Sequence, residues 1–282
     1  MNSNQAEVSD VSSVVPAVSG ITGYKSNSRG SNWQRYANIV RELAIVDFRK
    51  KYHDSSLGYF WSMLNPLLRF MVYHFVFSYL FIVQVPKFTL YLLMGVFFWN
   101  FFQDATLSAI SALRGRARLT KKIYFPRYLL VLSSTLTALF SFAINTFLIV
   151  LVVLIFDHVS PLQFLSIIPF VLLVLLSAGI GMILAISFIH FRDISEIWSV
   201  IIMLGFWLTP IMYDPSKVPG PLETVALFNP IGRILIMLRA YLLFDKTLPY
   251  TFLISTSLLC VIVFFFGLWL FRRYESRIPE YL

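Results

Sequence analysis

Long apolar runs decide what this chain can fold into. Tyr59–Val83, Phe88–Ile110, Tyr128–Phe156, Leu162–Ile189 and Tyr250–Phe271 each reach, or nearly reach, the roughly 20 residues a helix needs to cross about 30 Å of hydrocarbon. A sixth run, Ile197–Tyr213, is shorter and ends in Thr209-Pro210. It crosses if a kink or a thin bilayer makes up the difference. Of 282 residues, 58% are hydrophobic and 13% charged, about half the charge of a soluble domain. That leaves little room for a soluble enzyme and predicts an all-α polytopic membrane protein. The single cysteine, Cys260, can form no intrachain disulfide and reads as a small buried hydrophobe.

The polar segments divide the chain. Residues 1–31 are rich in Ser, Val, Asn and Gly and lack a basic start followed by an apolar core, so they read as a mobile cytoplasmic tail and not as a signal peptide. From Asn32, a plausible N-cap, Trp33, Tyr36, Val40 and Leu43 recur at helical spacing opposite Arg35, Arg41, Glu42, Arg49, Lys50 and Lys51. This predicts an amphipathic helix over 32–56, lying in the headgroup layer or packed on a partner. A six-span domain over 57–273 and a short cytoplasmic tail over 274–282 complete the chain. Within the six-span domain, Val218–Phe244 is apolar but broken by Pro219, Gly220, Pro221, Pro230 and Gly232. It reads as a re-entrant helical hairpin bordering a pathway, because broken backbone at membrane depth survives only against protein or water. A surface loop with a short amphipathic helix is the competing reading.

Charge sets the sidedness. Seventeen basic residues fall before the first run, between the second and third, between the fourth and fifth, and after the last; five fall on the opposite side. Both termini are therefore expected in the cytoplasm, which requires an even number of crossings and makes the proline-broken segment re-entrant. The net charge of +9 brackets the apolar runs instead of forming one stripe, so it reads as a topology signal and not as a nucleic-acid surface.

Residues with chemistry are sparse. No G-x-x-x-x-G-K-[ST] is present, so the chain has no phosphate loop of the usual kind and does not read as an ATPase. His53, His74, His158 and His190 are scattered singly, and Asp104, Asp157, Asp193 and Glu196 offer no acid–base pair. What stands out is polarity in the wrong solvent: Arg69, His74, Asn100, Gln103 and Asp104 lie in or near the ends of the first two runs. There a charge costs roughly 2.5–3.5 kcal/mol on insertion scales, so these side chains should face protein or a pore. Arg69 either pairs with Asp104 or the two snorkel to opposite faces. Aromatic residues make up 17% of the chain; rings such as Tyr73 and Phe77 either line a pore along which a sugar chain slides or face lipid as bulk. The loops HFRDISE (190–196) and LRGRARLTKKIYFPRY (113–128) read as solvated positive-inside loops or as levers for a cytoplasmic motor.

Four ordered motifs carry a family resemblance. They are RELAIVDFRKKYHDSSLGYFWSMLNPLL (Arg41–Leu68), KKIYFPRYLLVLSS (Lys121–Ser134), RDISEIW (Arg192–Trp198) and FNPIGRILIMLR (Phe228–Arg239). Together, over about 33–273, they resemble the membrane subunit of polysaccharide-exporting ABC transporters, the type-2 class that moves O-antigen, capsule or teichoic acid. The resemblance implies a homodimer of six-span permeases above two ATPase subunits, with a continuous pore between the permeases and ATP and magnesium held by the partner; no cofactor is expected in this chain. It assigns ATPase coupling to the interfacial helix and the cytoplasmic loops, on Arg35, Arg41, Arg116, Arg118, Lys121, Arg192, Asp193 and Glu196. Leu57-Gly58 falls near the cytoplasmic mouth, where Arg49, Lys50 and Lys51 either meet the diphosphate of an undecaprenyl-linked polymer or serve only as topology charges. Pore lining falls to Arg69, Tyr73, Phe77, Asn100 and Asp104, and the external exit to the hairpin around Gly220, Pro230 and Arg233. A permease of the same class for drugs or lipids, or a membrane-bound transferase, are the alternatives.

Overall fold

The structure is a computed structural model that describes residues 32–52, 58–80, 85–113, 126–156, 160–217 and 220–275. The expected N-terminal tail, most of the basic loop and the last residues of the chain lie outside them. Contacts divide the chain at Asn38: the first turns of the opening helix belong to a unit Met1–Asn38, and Ile39–Leu282 form the second.

Among the described residues the regular structure is helical throughout. Helix α1 is Asn32–Tyr52. A 3₁₀ turn at Gly58–Phe60 leads into α2, Trp61–Phe75, which widens into a π-helical turn at Val76–Leu80. Then follow α3 (Phe88–Ala112), α4 (Tyr128–Phe156), α5 (Ile167–His190, led in by the 3₁₀ segment Pro161–Ser166) and α6 (Ile194–Leu208). The chain closes with α7 (Pro221–Phe228), α8 (Pro230–Leu242) and α9 (Tyr250–Tyr274). Each apolar run of the sequence thus coincides with a helix. Three segments, Tyr128–Leu151, Pro161–His190 and Tyr250–Tyr274, are long and apolar enough to cross a membrane. Helix α3 has the length, but Asn100, Gln103 and Asp104 dilute its hydropathy. Helix α6 is apolar but stops at Leu208.

Helix α3 is the hub. It packs against α2, α4, α5, α6 and α8, and from Leu90 to Phe102 nearly every side chain is buried. Small residues let the other helices approach. Gly179 of α5 lies on α9, where an added Cβ would meet the Phe264 Cα at 2.7 Å, and Gly267 of α9 sits on the Gly179 carbonyl with no room for a Cβ at all. A Cβ on Gly181 would meet the Ala109 Cβ of α3 at 2.8 Å. Small-residue contacts of this kind are how helices associate where lipid offers no hydrophobic gain. The outer face of α9 carries exposed Ile254, Leu258, Ile262, Phe265 and Trp269, the composition of a surface that meets acyl chains and not water.

Breaks in the helices are satisfied by side chains. Pro66 inside α2 removes the N–H that would bond the Ser62 carbonyl. That carbonyl instead accepts from Asn145 Nδ2 of α4 at 3.4 Å. The expected amphipathic helix is α1, and from Ile39 on it lies along α4: Ala44 is fully buried, its carbonyl accepts from Thr137 Oγ1 at 3.3 Å, and Phe48 meets Phe140 edge-on at 5.8 Å.

The proline-broken segment forms two helices that meet at Asn229, so it is no surface loop: α8 is buried along most of its length. Pro210 ends α6 one turn early because it cannot continue the helix. Thr209, buried there, accepts from Asn229 Nδ2 at 2.7 Å, while Asn229 Oδ1 caps α8 by accepting from the Ile231 and Gly232 amides at 3.0 and 3.4 Å. Pro230 occupies the first position of α8, where its missing donor is harmless. Arg239 then closes the joint. Counted among the topology charges in the sequence, it is in fact 2% exposed. Its guanidinium donates to the carbonyls of Pro210 (2.5 Å), Ile211 (2.9 Å) and Tyr91 (3.0 Å) and lies 3.3 Å above the Tyr91 ring. Tyr91 in turn donates to the Tyr213 carbonyl at 2.7 Å. Gly95 makes the space, since a Cβ there would stand 2.8 Å from Arg239 Nη2.

Three outcomes follow for the detergent-solubilised protein. Arg239→Met should lower thermal stability severely, because each orphaned buried carbonyl costs roughly 1–3 kcal/mol; a midpoint near the wild-type value in a thermal-shift scan would show that the carbonyls find other donors. Gly267→Val should drive α5 and α9 apart and cost at least the roughly 1–3 kcal/mol of an overpacked core. Gly58→Ala, in a left-handed conformation (φ +49°) with nothing within 4 Å, should cost only the roughly 1–2 kcal/mol of backbone strain.

Candidate functional site

A half-enclosed cleft of about 240 Å³ opens between α2, α3 and α6. Three helical faces build it at one-turn spacing: Arg69 and Tyr73 from α2; Val96, Trp99, Asn100 and Gln103 from α3; Ser199, Ile202, Met203, Phe206 and Trp207 from α6. Residues three and four apart share a face, so each helix contributes a continuous stripe. Arg69 lies midway between Gly58 and Leu80, about 16 Å along the helical path from Gly58 at 1.5 Å per residue. Its Nη1 donates to Asn100 Oδ1 at 3.3 Å. The other atom of that amide, Asn100 Nδ2, is buried without a partner among the described residues. The walls are aromatic: Tyr73 and Phe206 rings stand 5.2 Å apart, and Trp99 and Phe206 meet edge-on at 6.0 Å. Just below, Trp198 Nε1 donates to Thr106 Oγ1 at 3.0 Å and ties α6 to α3. The cleft presents donors and rings with no carboxylate in its lining.

Of the residues the sequence marked for a pore, Arg69, Tyr73 and Asn100 come together here. Phe77 does not: the regular spacing of α2 gives way at Val76 to the wider π turn, and Phe77 packs against the core instead. Asp104 is exposed one turn beyond Asn100 and accepts from Lys51 Nζ at 3.2 Å. Arg69 and Asp104, the pair considered from sequence, are thus engaged elsewhere, and Lys51 bridges the end of α1 to α3. Arg49 and Lys50 are exposed beside it. Gly58 takes a positive φ of 49° at the entry to α2; Leu57 lies outside the described residues.

The residues marked for a cytoplasmic partner are solvent-facing where they are described. Arg41 is exposed and pairs with Glu42 at 3.1 Å. Arg192, Asp193 and Glu196 are exposed on the turn from α5 into α6, with Asp193 at the N-cap position and Glu196 in the first turn, where a carboxylate favours the positive end of the helix dipole. Arg35 lies in α1, its side chain outside the described residues, as are Arg116, Arg118 and Lys121. Gly220, just before α7, has φ 64°, and Pro230 opens α8 at the corner the two helices form. Arg233 donates from Nε to Thr256 Oγ1 (2.8 Å) and from Nη2 to the Phe252 carbonyl (3.3 Å) and to Ser255 Oγ, with the Phe252 ring 4.5 Å below. Its cation fastens α8 to α9. Among the described residues no group of three or more His, Cys, Asp or Glu side chains is placed to hold a metal.

The α6 wall was missed in the sequence. Ser199, Met203 and Trp207 follow one another at four-residue spacing, a periodicity that marks one face but does not distinguish a cleft from lipid. Arg239 was missed because its carbonyl partners are main chain and carry no residue-type signal.

Residues 40–243 match the family model described as ABC-2 type transporter. Among curated proteins the chain is 29% identical over 247 residues to the O-antigen export system permease protein RfbA of Klebsiella pneumoniae, covering 87% of this chain and 95% of that one. It is 27% identical to the protein of the same name in Myxococcus xanthus, over 65% of this chain and 71% of that one. It is 21% identical to the polysialic acid transport protein KpsM of Escherichia coli, over 84% and 93%. The matched stretch takes in the inward half of α1, the cleft and the whole joint from α6 to α8, and on that ground the chain belongs to the ABC-2 type transporter family of membrane permeases.

Proposed function

We propose that this chain is the permease subunit of an ABC transporter that exports an undecaprenyl-diphosphate-linked polysaccharide, O-antigen or a related surface glycan, across the bacterial cytoplasmic membrane. Two copies form the pore and two copies of a separate ATPase subunit drive it. Each copy crosses six times, α2 through α6 and α9 being the spans and α7–α8 the re-entrant hairpin, with both termini in the cytoplasm. The observation that carries this reading is the cleft at the middle of α2, α3 and α6. Rings and hydrogen-bond donors converge there at a depth where polarity is costly, and a hydroxylated chain stacked on rings is the cargo such a surface suits. Length-wide similarity to permeases named for O-antigen export points the same way. The absence of a phosphate loop from the sequence assigns ATP hydrolysis to the partner.

Under this reading the exposed charges of Arg41 and of the Arg192–Glu196 turn receive the ATPase, together with Arg35, Arg116, Arg118 and Lys121. Arg49, Lys50 and Lys51 stand where the lipid diphosphate would arrive, near Leu57-Gly58. Residues Gly220, Pro230 and Arg233 border the exit. Deleting the gene should leave finished lipid-linked glycan on the cytoplasmic leaflet and abolish surface glycan; a deletion strain with normal surface glycan would count decisively against the proposal. Arg192→Ala should reduce export and uncouple ATP hydrolysis while the protein still inserts, read as surface glycan and ATPase rate of the reconstituted complex. Unchanged export would return that turn to a solvated loop. A thiol label placed after Phe271 should react only from the cytoplasmic side; reaction from outside would overturn the sidedness.

A further inference from the structure

We propose that the cleft between α2, α3 and α6 is a subsite for one acidic sugar residue, with Arg69 receiving its carboxylate or phosphate group while the ring lies on the aromatic wall. The proposal rests on the export reading and adds the charge of the cargo to it. Three observations carry it. Arg69 brings a positive charge to the middle of α2, and the lining of the cleft supplies no carboxylate against it. Its hydrogen bond to Asn100 is long, 3.3 Å, and the side chain is exposed with Nη2 and Nε left for another acceptor. Asn100 Nδ2, of a residue in the same lining, is a buried donor with no acceptor among the described residues, a state that calls for a partner. The guanidinium is itself a planar fork that matches two oxygens of one anionic group. Beside it, the exposed Trp207 provides the flat apolar surface that a pyranose face needs, with the largely buried Trp99 in the same lining.

Neither the buried nor the paired cations elsewhere offer this combination. Both terminal nitrogens of Arg239 are taken up by carbonyls, Arg233 is held by Thr256 and its neighbours, and Lys51 by Asp104. Gln103 adds a further amide on the same face of α3, one turn beyond Asn100, which extends the polar stripe along the path a sugar chain would take.

The test uses the full permease with its ATPase subunit in nanodiscs of uncharged lipid. Tetragalacturonic acid is compared with its carboxyl-reduced counterpart, in which each carboxylate is replaced by a neutral hydroxymethyl group, and with farnesyl diphosphate, which carries the anion without a sugar. The acidic tetrasaccharide should bind roughly ten- to a hundredfold more tightly than the reduced one, the range expected of hydrogen bonds to a charged group. Arg69→Gln should erase most of that preference, and Arg69→Lys should restore part of it. Equal affinity of the two tetrasaccharides, or binding of neither, overturns the proposal. A preference for the diphosphate alone overturns it too and makes Arg69 a reader of the lipid anchor. Because the wild-type comparison needs no substitution, misfolding of a variant does not blur the result. A strain that depends on this gene for surface glycan, yet whose complex ignores sugar charge, sinks the subsite and leaves the transport reading intact; normal surface glycan in the deletion strain sinks the transport reading itself.

Discussion

A helix that stops among buried apolar side chains leaves carbonyls with no water to bond, and this constraint governs the fold from Gly205 to Leu242. Helix α6 stops at Pro210, and the chain then runs without helix through Tyr213. In lipid each unsatisfied group would cost several kcal/mol. Arg239 answers with several donors in one rigid plane, aimed at Pro210, Ile211 and Tyr91. Lysine, with a point charge and no plane, would not span three carbonyls. The requirement fixes other residues in turn: α8 must run deep enough to bring Arg239 to the break, so Asn229 caps it beside Thr209, and Gly95 must lack a side chain so that the guanidinium can pass.

That joint also positions the cleft. Helix α6 is held at its far end by Arg239 and Asn229 and at its near end by Trp198 on Thr106. Between those points its face toward α3 is constrained, and Phe206 meets both Trp99 and Tyr73. Helix α2 is tied to α4 by Asn145 at the carbonyl that Pro66 frees, which places Arg69 and Tyr73 opposite. The polar stripe of α3 therefore opens between two helices whose positions are set by breaks in their own hydrogen bonding.

How much of this was legible beforehand depends on the kind of partner each residue has. The helices were readable because an apolar run of span length has few alternatives, and the corner at Pro230 was readable because proline and glycine mark breaks whatever surrounds them. Arg69, Tyr73 and Asn100 were readable because polarity in an apolar run is conspicuous. Side chains that bond main chain were not. A cation count treats Arg239 like Arg192, yet one sits on carbonyls and the other meets solvent. Lys51 on Asp104 joins residues far apart in the chain, and no local pattern announces it. Phe77 falls outside the cleft lining although the spacing of α2 puts it on the face of Tyr73, because that spacing gives way to the wider turn at Val76–Leu80.

A conduit has to bind its cargo well enough to admit it and loosely enough to release it. Polar groups whose donors are taken up within the protein, as both terminal nitrogens of Arg239 are, would present little to a passing chain. Groups left wholly bare at membrane depth would be too costly to keep. The cleft lies between these limits: Arg69 makes a long bond to an amide whose own donor remains open, so the pair is supported when the site is empty and has capacity to spare when it is filled. Rings on both sides offer contact without direction, which under the proposed export reading would let successive sugars shift past one another. Well-partnered polar contacts thus hold the walls, and under that reading the incomplete ones face the path. That division follows from chemistry already written into the residues at Arg69, Asn100 and Arg239.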